Sequence, residues 1–225
     1  MTRHERDCFA ERAAIDPGEI TLHFMVDESP TREKLTAYDA VLFGGSGAFS
    51  VLDDVDWIHR TLDTLLEVID LGQVAYASCF GFQGLALALG GTVTHDEART
   101  EMGTTPLELT DAGRSCPLFS ILPRQFRAQQ GHHDHVTALP AGVVLLARND
   151  NVEAQAFRVA GKPFWASQFH PELNLDRTLD RFRHYERHYV GDPSNTATLL
   201  AKLKAGGPCT PAVGSLLKHL VRHAF

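Results

Sequence analysis

Residues 74–89 join two kinds of sequence that permit one kind of corner. Val74-Ala75-Tyr76-Ala77 is a short apolar run of strand character, and Gly84-Leu85-Ala86-Leu87-Ala88-Leu89 is a small-residue helix start. Between them lies Ser78-Cys79-Phe80-Gly81-Phe82-Gln83. A strand that runs straight into a helix makes a sharp turn, and in open α/β sheets such turns sit at the carboxyl ends of strands, where sites form. A side chain at the turn is held out toward a substrate, with the backbone N–H groups of the helix start behind it to stabilise negative charge. For a cysteine that field favours the thiolate, which is the nucleophile. Gly81 has no Cβ and lets a substrate or a neighbouring strand come close. A buried structural thiol is the plain alternative for any single cysteine.

Strand-like runs alternate with helical patterns along most of the chain, which predicts an α/β fold with a doubly wound parallel sheet. Ala40–Phe43 reads as a strand and Gly44–Gly47 as the loop after it. Asp56–Ile69 reads as a helix, with Trp57, Leu62, Leu65, Leu66 and Ile69 near one stripe. Gly90-Gly91 ends the helix opened at Gly84. Thr92–Thr94, Thr105–Leu109, Gln125–Ala128, Val143–Ala147, Ala154–Val159 and Phe164–Phe169 read as short strands that include an antiparallel patch. Asp176–Tyr189, Thr196–Lys204 and Gly214–Phe225 read as helices, punctuated by Pro193 and Gly206-Gly207-Pro208. The start differs in kind. Thr2–Ala14 is a charged amphipathic helix, Asp16-Pro17-Gly18 ends it, and Glu19–Val26 is expected to be the first strand. The expected organisation is one domain over residues 1–190 with a helical tail, 191–225, packed on it.

The candidate partners of Cys79 lie far downstream. Phe164–Phe169 reads as a buried strand, and His170-Pro171-Glu172 follows it. Residues two apart in an extended segment share a side, so His170 and Glu172 face together while Pro171 stiffens the chain between them. A carboxylate beside an imidazole fixes its tautomer and stabilises the imidazolium, which is the logic of a nucleophile–base–orienter triad. Seen alone, His-Pro-Glu is an ordinary surface turn.

The two stretches 78–83 and Gln168–Glu172 together resemble a class I (triad-type) glutamine amidotransferase domain. Within that family the likeness is nearest to the glutaminase domain of GMP synthase and its free-standing relatives, and it runs from about Tyr38 to Glu172. Tyr38–Gly45 resembles the family's strand and oxyanion loop, Glu101-Met102-Gly103 a substrate-side segment, and Gly131-His132-His133-Asp134-His135-Val136 its Ser-His-Gly-Asp-x-Val loop. The resemblance implies a flavodoxin-like sheet with helices on both faces and a small antiparallel patch. It implies that Cys79 attacks the side-chain amide of glutamine to form a γ-glutamyl thioester. His170 then moves the proton to departing ammonia, and Glu172 holds His170. It places the backbone N–H groups of Gly45 and Phe80 on the oxyanion, and Gln83, Glu101, Met102, Gly103, His132, His133 and Asp134 around the substrate. It implies no cofactor and no metal. The chain also departs from the pattern. Ser78 stands where Gly is usual before the nucleophile. Ser46 stands where Pro is frequent after the two glycines, which predicts a looser oxyanion loop. His133 replaces a Gly, where a positive φ would be strained and where its ring would narrow the pocket. The usual first strand of the family is missing.

The remaining features exclude more than they add. A formal charge of -7 argues against a nucleic-acid or anionic-membrane surface, and no apolar run has the length of a membrane span. Cys8, Cys79, Cys116 and Cys209 are scattered and read as free thiols of a cytoplasmic protein. The His132–His135 cluster and the His184/His188 pair have metal-like spacing, but Tyr185 occupies the position where a metalloprotease signature needs Glu. Gly44–Gly47 lacks the Gly-Lys-Ser/Thr of a phosphate loop. The expected activity is hydrolysis of the glutamine side-chain amide, with a separate ammonia-using synthetase as the candidate partner. The alternatives are a free-standing γ-glutamyl peptidase or hydrolase acting on another γ-glutamyl compound, and a non-catalytic binding relative.

Overall fold

The computed structural model describes residues 2–189 and 196–224; Pro193, expected between the last helices, and the side chain of His188 lie outside the described residues. The chain runs as α1 (Thr2–Ala13), α2 (Arg32–Thr36), β1 (Ala40–Phe43), α3 (Asp56–Leu71), β2 (Val74–Ser78), α4 (Phe80–Ala88), β3 (Thr92–His95), β4 (Glu101–Leu109) and α5 (Asp111–Ser115). It continues through β5 (Gln125–His132), β6 (Asp134–Ala138), β7 (Val143–Arg148), β8 (Ala156–Val159), β9 (Phe164–Ser167), α6 (Leu175–Tyr189), α7 (Thr196–Ala205) and α8 (Leu216–Ala224).

A seven-stranded sheet in the order β1-β2-β9-β8-β7-β4-β5 forms the frame, with β3 and β6 paired separately. The half that carries the candidate site, β1-β2-β9, is parallel. The flavodoxin-like α/β class expected from the sequence is present. The antiparallel part is larger than a small patch, because the four remaining neighbour pairings all run antiparallel. The cause is local. β7 is joined to β8, and β8 to β9, by connections too short to carry a crossover helix back to the same end of the sheet, and antiparallel pairing needs no crossover.

Alternation along β2 divides the core. Ala75 and Ala77 face a cluster with Phe43, Ile58, Leu65, Val68, Phe82, Leu85 and Phe164 beneath α3 and α4. Tyr76 faces the opposite cluster, with Phe119, Phe126, Phe169, Leu216, Leu217 and Leu220, where α1 and α8 also lie. Each side chain of the strand is therefore spoken for, which fixes its register.

The expected strand at Glu19–Val26 does not form. Pro17–Glu19 makes a short 3-10 turn capped by Asp16, and the following residues pair with no strand. Ile20 packs on the core, but Leu22, Phe24 and Val26 are exposed. The apolar alternation at 20, 22, 24 and 26 is that of a strand, but alternation only becomes a strand when a neighbour supplies the hydrogen bonds. β1 is the end strand of the sheet and pairs only with β2. The strand β6 was not expected; it forms because Thr92–His95 gives it a partner.

Candidate active site

β2 passes into α4 at Cys79, whose backbone sits at φ 51°, ψ −103°. A positive φ costs a residue with a Cβ on the order of 1–3 kcal/mol, and it persists only when the surroundings over-determine it. Here the Cys79 N–H donates to the Ser167 carbonyl at 2.9 Å, and its own carbonyl accepts from Gln83 N at 3.0 Å. Gly81 makes the corner packable: a Cβ there would lie 2.8 Å from Phe43 Cβ and 3.1 Å from Ala77 Cβ. The helix begins at Phe80 rather than Gly84, so its N-terminus falls directly behind the sulfur.

His170 follows β9 and is held by its N–H, which donates to the Gln129 carbonyl at 2.9 Å. Its Nδ1 donates to Glu172 Oε1 at 2.6 Å, and both side chains are almost completely buried. With Nδ1 committed to the carboxylate, the other ring nitrogen is left for the nearby Cys79 sulfur, which itself lies 3.9 Å from the Gly131 carbonyl and 3.8 Å from Gln168 Nε2. Burial pulls the imidazole down, but the Glu172 carboxylate and the Cys79 sulfur outweigh it and raise it to about 9. Burial would push Glu172 up; His170, with Arg181 behind it, holds it below the usual carboxylate range instead. Ser78 explains its own departure from glycine: its Oγ lies 3.4 Å from Glu172 Oε1 and 3.5 Å from the Phe43 carbonyl.

These shifts fix a sign for stability. His170 binds its proton more tightly folded than unfolded, so its contribution is fully present below pH about 6.5 and is lost as the pH rises toward 9. Thermal melts between these limits are expected to show a falling Tm, and His170→Gln is expected to flatten that slope.

Gly45 stands at the centre of the site. A Cβ there would lie 2.9 Å from His170 Cε1, 3.6 Å from Cys79 Cβ and 3.7 Å from Arg181 Nη1. The loop that follows is not loose. Ser46 Oγ accepts from Phe49 N, Asp53 accepts from Ser50 N, and Ser50 Oγ donates to Asp134 Oδ2 at 2.5 Å, tying this loop to the His132–Asp134 segment.

The residues expected around the substrate divide into two groups. Met102 lines a cleft beside His170, together with Gly131, Leu173, Phe182 and Leu203; its free volume is about 20 Å³, room for about one water. Gly103 (φ 83°) is covered by Leu203, which approaches a built Cβ at 3.1 Å. Gln83 donates to the Asp134 carbonyl at 2.7 Å and to Gln168 Oε1 at 3.2 Å. Glu101 and His132, opposite each other on β4 and β5, are used up behind the site. The Glu101 carboxylate takes His132, Asn149 and Gln155, while His132 Nδ1 donates to the Asp134 carbonyl. The Asp134 carboxylate is held by Ser50 and His95 rather than presented to the cleft. His133 has no positive φ and carries no such strain. Its Nδ1 meets Thr100 at 2.8 Å, and its ring is 5.9 Å from that of His95; burial, then His95, depresses its basicity. A larger groove of about 900 Å³ lies over β4 and β5 between Arg127 and Asn151, but neither Cys79 nor His170 lines it.

Sequence reasoning missed Arg181 and Leu203. Arg181 Nη1 is 3.7 Å from Glu172 Oε1, and its Nη2 donates to Glu5 Oε1 at 2.7 Å. An arginine on a helix rich in charge carried no signal for this. The other thiols differ from Cys79 in setting. Burial raises Cys8 to about 12 and raises Cys209, and the Cys116 sulfur accepts from Trp165 Nε1 at 3.3 Å.

Residues 19–182 match the family model described as glutamine amidotransferase class-I. The chain belongs to that family. Among its relatives is a γ-glutamyl-L-1-hydroxyisopropylamide hydrolase of a Pseudomonas species, 32% identical over 192 residues, covering 76% of this chain and 62% of that protein. One subunit of the glutamine-hydrolysing GMP synthase of Sulfurisphaera tokodaii is 29% identical over 154 residues, covering 68% of this chain and 78% of that protein. The chain spans less than two thirds of the hydrolase's length, and 20% and 30% of two longer GMP synthases. A solved glutamine amidotransferase of Thermotoga maritima superposes with a TM-score of 0.71 at 21% identity, over 88% of this chain and 83% of that one. That likeness gives the amidotransferase fold. No helix among the described residues is long and apolar enough to cross a membrane.

Proposed function

We propose that this class I amidotransferase domain hydrolyses a γ-glutamyl amide, glutamine in the first instance, through a thioester on Cys79. The observation that carries the reading is the buried His170–Glu172 pair, bonded at 2.6 Å and folded against the sulfur of the strained turn. The Cys79 sulfur attacks the side-chain amide carbon, and the thiol proton passes to His170. The carbonyl oxygen, negative in the tetrahedral intermediate, lies toward the N–H groups of Gly45 and Phe80. Collapse breaks the carbon–nitrogen bond as His170 gives its proton to the leaving nitrogen. Water then attacks the thioester with His170 as base, glutamate departs and the thiol is regenerated. Glu172 stays ionised throughout and holds the ring in the tautomer that faces the sulfur.

The substrate is tested by incubating the protein with glutamine and a panel of N-substituted γ-glutamyl amides while measuring glutamate, ammonia and free amine. Glutamate and ammonia from glutamine support the reading; no glutamate from any member of the panel overturns it. The likeness to the Pseudomonas hydrolase favours one second reading, a free-standing hydrolase of substituted γ-glutamyl amides, in which the panel amines outrun glutamine. A glutaminase that serves a synthetase instead is expected to co-purify with that ammonia-using partner and to turn over faster in its presence.

Gly45 gives a geometric test. Gly45→Ala places a methyl group against His170 Cε1, and a displacement of about 1 Å in a catalytic group can cost on the order of 10²-fold. The expected result is a fall in kcat of about 10–100-fold, read from steady-state glutamate release, with a modest fall in Tm from the overpacked contact.

A further inference from the structure

The proposed reading uses three side chains, and a fourth is built against them. Arg181 on α6 is 7% exposed. Its Nη1 lies 3.3 Å from His170 Nδ1 and 3.7 Å from Glu172 Oε1, and its Nη2 donates to Glu5 Oε1 at 2.7 Å. Nδ1 has a single proton, and Glu172 takes it. Arg181 therefore acts on the ring as a fixed charge. The second carboxylate oxygen, Glu172 Oε2, is buried with no hydrogen-bond partner among the described residues. The charge of this carboxylate is thus balanced at Oε1, by the imidazole, the Ser78 hydroxyl and the guanidinium. Glu5 comes from α1, which precedes the family-matched span. The planar guanidinium holds both carboxylates from one rigid group, as a lysine would not.

We propose that Arg181 is a positioning residue for the His170–Glu172 pair and is itself held in register by Glu5 of the N-terminal helix. The inference rests on the proposed function for its role in turnover. A permanent cation beside the pair keeps the carboxylate ionised. It also opposes the second proton on the imidazole, so that the ring gives this proton up more readily to the leaving nitrogen. The groups that act on the pair are Cys79 at the turn, Tyr76 on β2, Cys8 on α1 and Arg181 on α6, and those that act on Arg181 are His4 and Glu5 on α1 and Tyr185 on α6. Of these, Arg181 is the cation in contact with both members.

The test is the pH dependence of Cys79 alkylation by iodoacetamide, followed at that residue by peptide mass, which needs no knowledge of the substrate. Arg181→Gln removes a charge that favours the anionic sulfur and opposes the imidazolium. Its alkylation midpoint is expected to move up by about one pH unit, and Arg181→Lys, which keeps the charge but not the rigid fork, is expected to return it part of the way. A folded Arg181→Gln protein whose profile superimposes on wild type overturns the proposal. If Arg181→Gln does not fold, Glu5→Gln decides. It removes the carboxylate that holds the guanidinium in register, so a smaller shift in the same direction supports the proposal and an unchanged or lowered midpoint overturns it. The two readings fail separately. A shifted alkylation profile in a protein that cleaves no γ-glutamyl amide sinks the proposed function alone, and normal turnover with an unshifted profile sinks the positioning role alone.

Discussion

Cys79→Ala is expected to abolish γ-glutamyl amide hydrolysis, with a loss of at least ~10⁴-fold in kcat, while the protein stays folded. The loss is this large because the proposed mechanism makes the sulfur a reactant: without it no thioester forms, and the remaining groups offer only binding and electrostatic help to an attacking water. The fold is expected to survive because the change removes one atom from a site that opens to a small cleft. The turn itself is maintained by the bonds to Ser167 and Gln83, which are made by backbone atoms. A γ-glutamyl chloroketone is expected to label Cys79 in the wild type and to leave Cys8, Cys116 and Cys209 unmodified, since two of these are raised by burial and the third is buried against Trp165. Wild-type rates in the alanine variant, or even labelling of all four thiols, would remove Cys79 from the mechanism.

His170→Gln is expected to cost nearly as much, about 10³–10⁵-fold in kcat. Glutamine keeps much of the volume and donates a hydrogen bond to Glu172, so packing is largely preserved. It cannot carry a proton from the sulfur to the leaving nitrogen. Because the two groups act as a unit, the Cys79→Ala/His170→Gln double variant is expected to be no slower than the slower single variant, within about threefold. Single-turnover and steady-state measurements on the four proteins check this. Losses that multiply would mean that the two residues act in separate steps.

The sequence was most legible where one short segment carried both fold and chemistry. A strand ending at a cysteine and passing into a helix defines a corner, and His-Pro-Glu after a buried strand defines an imidazole–carboxylate pair. Both are local patterns, and β2 and β9 are neighbours in the sheet. The substrate side was less legible, since a motif gives residues but not the direction they face. Glu101 and His132 satisfy one another across β4 and β5, and that choice depends on Asn149 and Gln155, which arrive from elsewhere in the chain. Leu203 and Arg181 belong to helices whose patterns announce only amphipathicity, so their approach to the cleft is set by tertiary packing. The Glu19–Val26 segment failed for the opposite reason. Its alternation was clear, but the hydrogen-bonding partner that would convert it to a strand is absent among the described residues.

The open side of β1 has a practical consequence. Four residues of backbone at the end of the sheet, with Leu22, Phe24 and Val26 exposed nearby, form a template onto which another extended segment could zip. Concentrated stocks are therefore expected to self-associate through this rim before they unfold, and lysines introduced at the exposed Phe24 and Val26 would keep them monodisperse in light scattering.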